Sequence, residues 1–332
     1  MAGIPLALIG EHLRSAYGIV GRVSRLPGEH DENFLVRSGE GTLVLRVVAP
    51  DQGEDRDRFI LSLLDKLQGA DVICPVLISA TDGSVVPLLR LGAHEPRRSW
   101  LTTFVPGTPW VERLDDPAVA FAVGRGLAHL DEGLDCPSEP ASCGQTPWDL
   151  TRPQGALALI EGVPLGADGP RIRDGLRELE ESVLPALGDT PRQPIHNDAN
   201  PDNVLLTAQG EVGFIDFGDA VLAPRTVELA VTGSYLADIG TPSSLESPLT
   251  SLIRGFRSVV PLGRNDLSAL PGLMRGRLAL ALGNALARAH HHPQRARYVL
   301  RHAERARRRM EALDALDMDA ALKSWEPTGR GR

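Results

Sequence analysis

The sequence predicts an α+β chain of two lobes, a small antiparallel-sheet lobe over residues 1–104 and a larger, mostly helical lobe over residues 105–332. Three observations carry this. The first hundred residues read as strand, strand, helix and further strands. Val105-Pro106-Gly107-Thr108-Pro109 then interrupts every pattern, as a hinge does. Beyond it, apolar residues recur at helical spacing for most of the remaining chain.

The N-terminal stretch, with Glu11 and His12 interrupting its apolar run and no basic residues ahead of it, reads as an amphipathic helix and not as a secretory leader. Strand character fills Ile19 to Val48, with turns at Pro27-Gly28 and at Gly39-Glu40-Gly41, so Asn33–Val36 and Thr42–Val47 should pair as a hairpin. Phe59, Leu63 and Leu67 recur every fourth residue, which predicts a helix over Asp55–Leu67. Short strands are expected at Val72–Ile78, Val85–Leu89 and Trp100–Phe104. After the hinge, helices are expected over Pro117–Leu130, Arg171–Leu187, Val227–Ala237, Pro248–Val260 and Leu270–His290. A strongly basic helix over Arg295–Leu316 reads as a solvated outer face, and the tail from Lys323 through Trp325 as frayed.

Hydrophobic residues make up 42% and charged residues 23%, a balance able to bury a core. The net charge of −8 speaks against nucleic acid as a partner and is compatible with a cationic ligand or simply with solubility. Cys74, Cys136 and Cys143 lack metal-type spacing, and no apolar run is long enough for a membrane span. A soluble, cytoplasmic protein is expected.

Two polar islands sit close together in the helical half. One is His196-Asn-Asp198-Ala-Asn-Pro-Asp-Asn203, the other Asp216-Phe-Gly-Asp219. Each adjoins a short apolar strand, and Gln209-Gly210-Glu211 supplies a turn, so a hairpin would bring Asn203 and Asp216 to one end. Phosphoryl transfer needs such an arrangement: hard oxygen ligands for magnesium and a carboxylate to orient the acceptor hydroxyl. His-x-Asp-x4-Asn followed by Asp-Phe-Gly matches the order of the protein-kinase catalytic and metal loops. Asp198 is the candidate base, Asn203 and Asp216 the candidate metal ligands, and His196 an orienting member of the catalytic loop.

These stretches, with Gly28–Val36, Trp148-Asp149-Leu150 and Glu228-Leu-Ala-Val231, resemble the aminoglycoside phosphotransferase superfamily, and within it hydroxylysine kinase-like members, over about residues 24–237. The resemblance implies a bilobal protein-kinase-like fold with ATP or GTP in the cleft and Mg2+ as cofactor. It implies nucleotide contacts at Thr103, Phe104 and Val105, and a small hydroxylated amine as the acceptor. Trp148 and Asp149 lie where the acceptor is expected, with the Trp148 ring either a wall for an ammonium group or part of the core.

At one position the chain departs from the resembled family. The place of the phosphate-clamping lysine in Val44-Leu45-Arg46-Val47 holds Arg46, a planar fork and not a point charge. By the same resemblance its acidic partner falls at or beside Arg58 and is read as Asp57, with Glu54 a turn earlier; the alternative is that the ion pair is missing. Only Gly28 and the Glu29-His30-Asp31 turn are available to cover the phosphates, and no Walker-type loop is present. Asp219 reads as a second metal contact or a cap, Glu228 as a helix N-terminal charge or an anchor for the loop, and His290–His292 as a helix C-terminal cap. Against the kinase stands a binding module that keeps the fold without the chemistry. Among kinases, the acceptor is either a primary metabolite such as an amino alcohol or an antibiotic.

Overall fold

Alternating apolar residues in the first hundred positions do build a sheet. The computed structural model describes residues 3–28, 31–91, 94–135, 146–240, 244 and 246–325. These fall into two compact units that divide between Pro106 and Gly107.

In the first unit, α1 (Leu6–Tyr17) stops at Gly18, whose left-handed backbone (φ 69°) returns its N–H to the Arg14 carbonyl. The strands are β1 (Gly21–Leu26), β2 (Glu32–Ser38), β3 (Gly41–Val47), β4 (Leu77–Ile78), β5 (Leu88–Leu91) and β6 (His94–Thr103), with α2 (Glu54–Leu67) between β3 and β4. They run in the order β1-β2-β3-β6-β4, with β5 also on β6, and every pairing is antiparallel. Phe34, Val36, Leu45, Val47 and Leu101 cluster with Ile9 and Leu13 of α1, all fully or almost fully buried. The hairpin and α2 fall where periodicity put them. The strand expected at Val72–Ile78 shrinks to two residues, and that at Val85–Leu89 shifts past Pro87. Pro75 and Pro87 have no N–H to give a ladder. β6 is longer than predicted because the ends of Arg97 and Arg98 are neutralised, by Glu32 at 2.9 Å and by Asp57.

The second unit opens with β7 (Thr108–Pro109) and α3 (Pro117–Leu134), whose N-cap Asp116 accepts the N–H groups of Ala118 and Val119. Next come α4 (Pro153–Leu159), α5 (Gly169–Glu178), a π turn (Leu179–Val183) and α6 (Leu184–Leu187). Four short strands follow: β8 (Gln193–Ile195), β9 (Val204–Leu206), β10 (Val212–Phe214) and β11 (Val221–Ala223). β10, β9 and β7 form one antiparallel ribbon, and β11 pairs β8. The chain ends in α7 (Arg225–Gly233), α8 (Pro248–Arg257), α9 (Arg264–His291), α10 (Ala296–Val299), α11 (Ala303–Asp314) and α12 (Met318–Trp325). α3 and α8 cross backbone to backbone. A Cβ on Gly124 would lie 2.0 Å from the Leu252 oxygen, and one on Gly255 2.1 Å from the Phe121 oxygen.

Two expectations fail here. Trp325 is fully buried, and Arg257 donates to its carbonyl, so the chain is fixed to that point; residues 326–332 lie outside the described ones. The basic stretch is broken into shorter helices and is not merely a solvated face. Arg309 is buried, 3.0 Å from Asp238, and Arg307 binds Asp168 at 2.8 Å. Among the described residues, no helix is long and apolar enough to cross a membrane.

Candidate active site

The loop from β8 to β9 is pinned by buried groups. Asn197 adopts a positive φ of 62°, and its N–H donates to the Glu228 carboxylate of α7 at 2.9 Å. Its side-chain amide donates to the carbonyls of Asp219 (2.9 Å) and Trp148 (3.2 Å). His196 is fully buried against Phe217, with ring centroids 4.6 Å apart. Its Nδ1 accepts the Asp198 N–H at 3.2 Å while Nε2 faces the Ile215 carbonyl at 3.0 Å. That pattern demands the neutral ring with the proton on Nε2. Both nitrogens are spent on backbone, so the ring fastens the Asp198 N–H to the Ile215 carbonyl.

Asp198 is about one-fifth exposed, and its two oxygens face different partners. Oδ2 accepts from the amides of Asn200 (3.0 Å) and Asn203 (2.9 Å); Oδ1 accepts from Nη2 of Arg277 at 2.9 Å. A carboxylate has about four lone-pair directions, so the three bonds leave one for an incoming hydroxyl. Burial pushes its pKa up to about 7. The Arg277 charge opposes the rise and the nearby Asp219 and Asp216 carboxylates add to it.

The β9–β10 hairpin performs the convergence read from the sequence. Val204 opposes Phe214, and the Ile215 N–H donates to the Asn203 carbonyl at 3.0 Å, so Asp216 follows directly beside Asn203. The Asn203 amide nitrogen also donates to the Asp198 carbonyl at 2.9 Å, which turns its amide oxygen the other way. Asp216 takes a left-handed backbone (φ 62°, ψ 73°) and its Oδ1 accepts the Gly218 N–H at 3.3 Å. The donor set is one amide oxygen and one carboxylate. No group of three His, Cys, Asp or Glu suited to a metal occurs among the described residues. Two hard oxygens fit Mg2+, which keeps waters and takes phosphate oxygens for the rest of its shell.

The model of the phosphotransferase enzyme family matches residues 22–248, more than half of the chain. The chain belongs to that family. This phosphotransferase is 28% identical to the homoserine kinase of Gluconobacter oxydans over 75% of this chain and 76% of that one. It is 30% identical to the homoserine kinase of Brucella ovis, over 75% and 73%. Among solved structures it is similar to a microcompartment-associated aminopropanol kinase, with a TM-score of 0.68, 21% identity and coverage of 96% and 100%. It is also similar to an amicoumacin kinase in complex with AMP-PNP, Ca2+ and its ligand, with a TM-score of 0.72, 13% identity and coverage of 94% and 96%. These likenesses establish the kinase-like α+β fold.

Three side chains of the phosphotransferase have partners that the sequence reading did not name. The Trp148 ring has a cation on it: the Arg277 guanidinium carbon lies 4.8 Å from its centroid, on a ring read either as a wall for an ammonium group or as part of the core. Asp149 is buried and accepts the N–H (2.9 Å) and hydroxyl (2.7 Å) of Thr151, so it closes the turn into α4. Asp219 accepts the Thr146 hydroxyl at 2.6 Å, a fastening role. In the first unit, the ion-pair partner of Arg46 is Asp31, which also accepts the Ala49 N–H at 2.7 Å; Asp57 instead binds Arg98. Asp31 sits in a turn ahead of β2, where helical periodicity gives no sign of an ion-pair partner. Glu29 and His30 of that turn lie outside the described residues, as do Cys136 and Cys143. The N–H groups of Thr103 and Phe104 already donate to Val76 (2.9 Å) and Thr42 (3.0 Å), leaving carbonyls and Val105 for any nucleotide base there. Arg277 was missed altogether. Its one signal was a charge at the edge of the apolar run Leu278–Leu282, shared with Arg275 two residues before it.

Proposed function

We propose that the chain transfers the γ-phosphoryl group of ATP or GTP to the hydroxyl of a small amino alcohol of the homoserine type, with Mg2+ bound by Asn203 and Asp216. The observation that carries this is Asp198, joined to Asn203 at 2.9 Å and followed across a hairpin by Asp216. Asp198 takes the hydroxyl proton on its remaining lone pair as the acceptor oxygen attacks the γ-phosphorus. The bond from that phosphorus to the bridging oxygen breaks, and the nucleoside diphosphate leaves. Mg2+ supplies charge neutralisation on the phosphates when bound. Arg46, braced by Asp31, is the candidate phosphate clamp, and Thr103, Phe104 and Val105 the candidate base contacts. The homoserine kinases of about 28–30% identity support the acceptor class.

Nucleotide turnover measured against a panel of hydroxylated amines, with ATP and GTP separately, tests the reading. Turnover should require an amino-alcohol acceptor and vanish when the metal is chelated. Acceptor-independent turnover, or none with any acceptor, would leave a binding module in its place.

A further inference from the structure

Arg277 lies in the middle of α9, its side chain 4% exposed. One nitrogen, Nη2, binds Asp198 Oδ1. Nε and Nη1 are buried and meet no acceptor among the described residues. Beyond its bonds to Asp198 and to the Tyr235 side chain, this desolvated cation therefore keeps N–H groups unspent on Nε and Nη1. Proteins seldom leave buried donors so, and a missing ligand or water is the ordinary reason. The position narrows the choice. Asn200 and Asn203 hold the Asp198 oxygen on the metal side, while Arg277 holds the other one. It therefore stands where the acceptor must approach, with the half-buried Trp148 over its face and Tyr235 beside it.

We infer that Arg277 binds a carboxylate carried by the acceptor, a short spacer away from the reacting hydroxyl, and that the acceptor is accordingly a hydroxy amino acid and not a purely cationic amine. This rests on the kinase reading above. A carboxylate matches the planar fork of a guanidinium and accepts two parallel N–H bonds, whereas an ammonium group offers the unspent donors nothing and meets a like charge.

The test compares kcat/KM for homoserine with that for its decarboxylated counterpart, an aminopropanol, in the parent, in Arg277→Met and in Arg277→Lys. The parent should prefer the carboxylated acceptor by about ten- to a hundredfold, the worth of charge-assisted bonds. Arg277→Met should bring the ratio near one, and Arg277→Lys should recover part of it, in protein whose thermal unfolding shows it folded. Should Arg277→Met fail to fold, the ratio in the parent decides by itself. A parent that uses both acceptors within about threefold overturns the inference and leaves the kinase reading intact. A retained preference in Arg277→Met also overturns it. No turnover with any acceptor removes both.

Discussion

At the scale of single residues, the loop carries its own strain. Asn197 and Asp216 are the non-glycine residues with positive φ among those described, and both lie in the candidate site. Asn and Asp tolerate this region better than other side chains, and such strain gathers where geometry serves chemistry. The fully buried Glu228 and His196 hold Asn197 and the following Asp198 in place, so Asp198 meets a ligand already oriented. Asp198→Asn removes the proton acceptor and keeps the shape. Its kcat should fall by about 10²- to 10⁴-fold with little change in nucleotide affinity, read by steady-state kinetics beside nucleotide titration. An unchanged kcat would take Asp198 out of the base role. The motif residues stood out because their pattern depends on spacing along a few residues of chain. Arg277, sixty-one positions beyond Asp216, had no spacing to read.

At the scale of elements, one close approach does much of the positioning. α3 and α8 meet through Gly124 and Gly255, with no room for a methyl group at either. Gly124→Ala must push backbone, not a flexible side-chain end, and should cost about 1–3 kcal/mol of stability, at the upper end of that range. Chemical denaturation measures it, and a midpoint equal to the parent's would show that the helices can separate without loss. The helices themselves were legible from periodicity, whereas the crossing was not, since a glycine in a helix says nothing of what it faces. The β9–β10 hairpin is the opposite case: strand, turn and strand are contiguous, so the sequence specified the pairing that joins Asn203 to Asp216.

At the scale of the molecule, one buried side chain ties distant parts of the second unit together and another sets how its stability responds to pH. Trp325 on α12 is fully buried, far in sequence from the Arg257 that donates to its carbonyl. Trp325→Ala should cost about 3–5 kcal/mol, and a thermal midpoint within a degree of the parent's would refute that. The other feature is the buried carboxyl of Asp131 on α3. Neither of its oxygens meets a donor among the described residues. Burial first, and the Glu228 carboxyl second, raise its pKa well above the ordinary carboxylate range. The unfolded chain gives up this proton near about pH 4, while the folded one keeps it. Above that pH the unfolded state binds fewer protons, so Asp131 makes stability fall as pH rises, until it ionises in place. Asp131→Asn should raise the melting temperature at neutral pH and flatten its decline; an equally steep decline in the variant would exclude Asp131 as the cause.

The sequence by itself determined the division into a sheet-rich and a helical part, and the spacing of the His-x-Asp-x4-Asn and Asp-Phe-Gly motifs. Local propensity and short spacings along the chain carry both. Tertiary structure alone decided that Arg46 pairs with Asp31, that Trp148 lies under Arg277, and that the last helix docks through Trp325. Each of these depends on which side chains meet across elements remote in the chain, and packing, not periodicity, selects such partners.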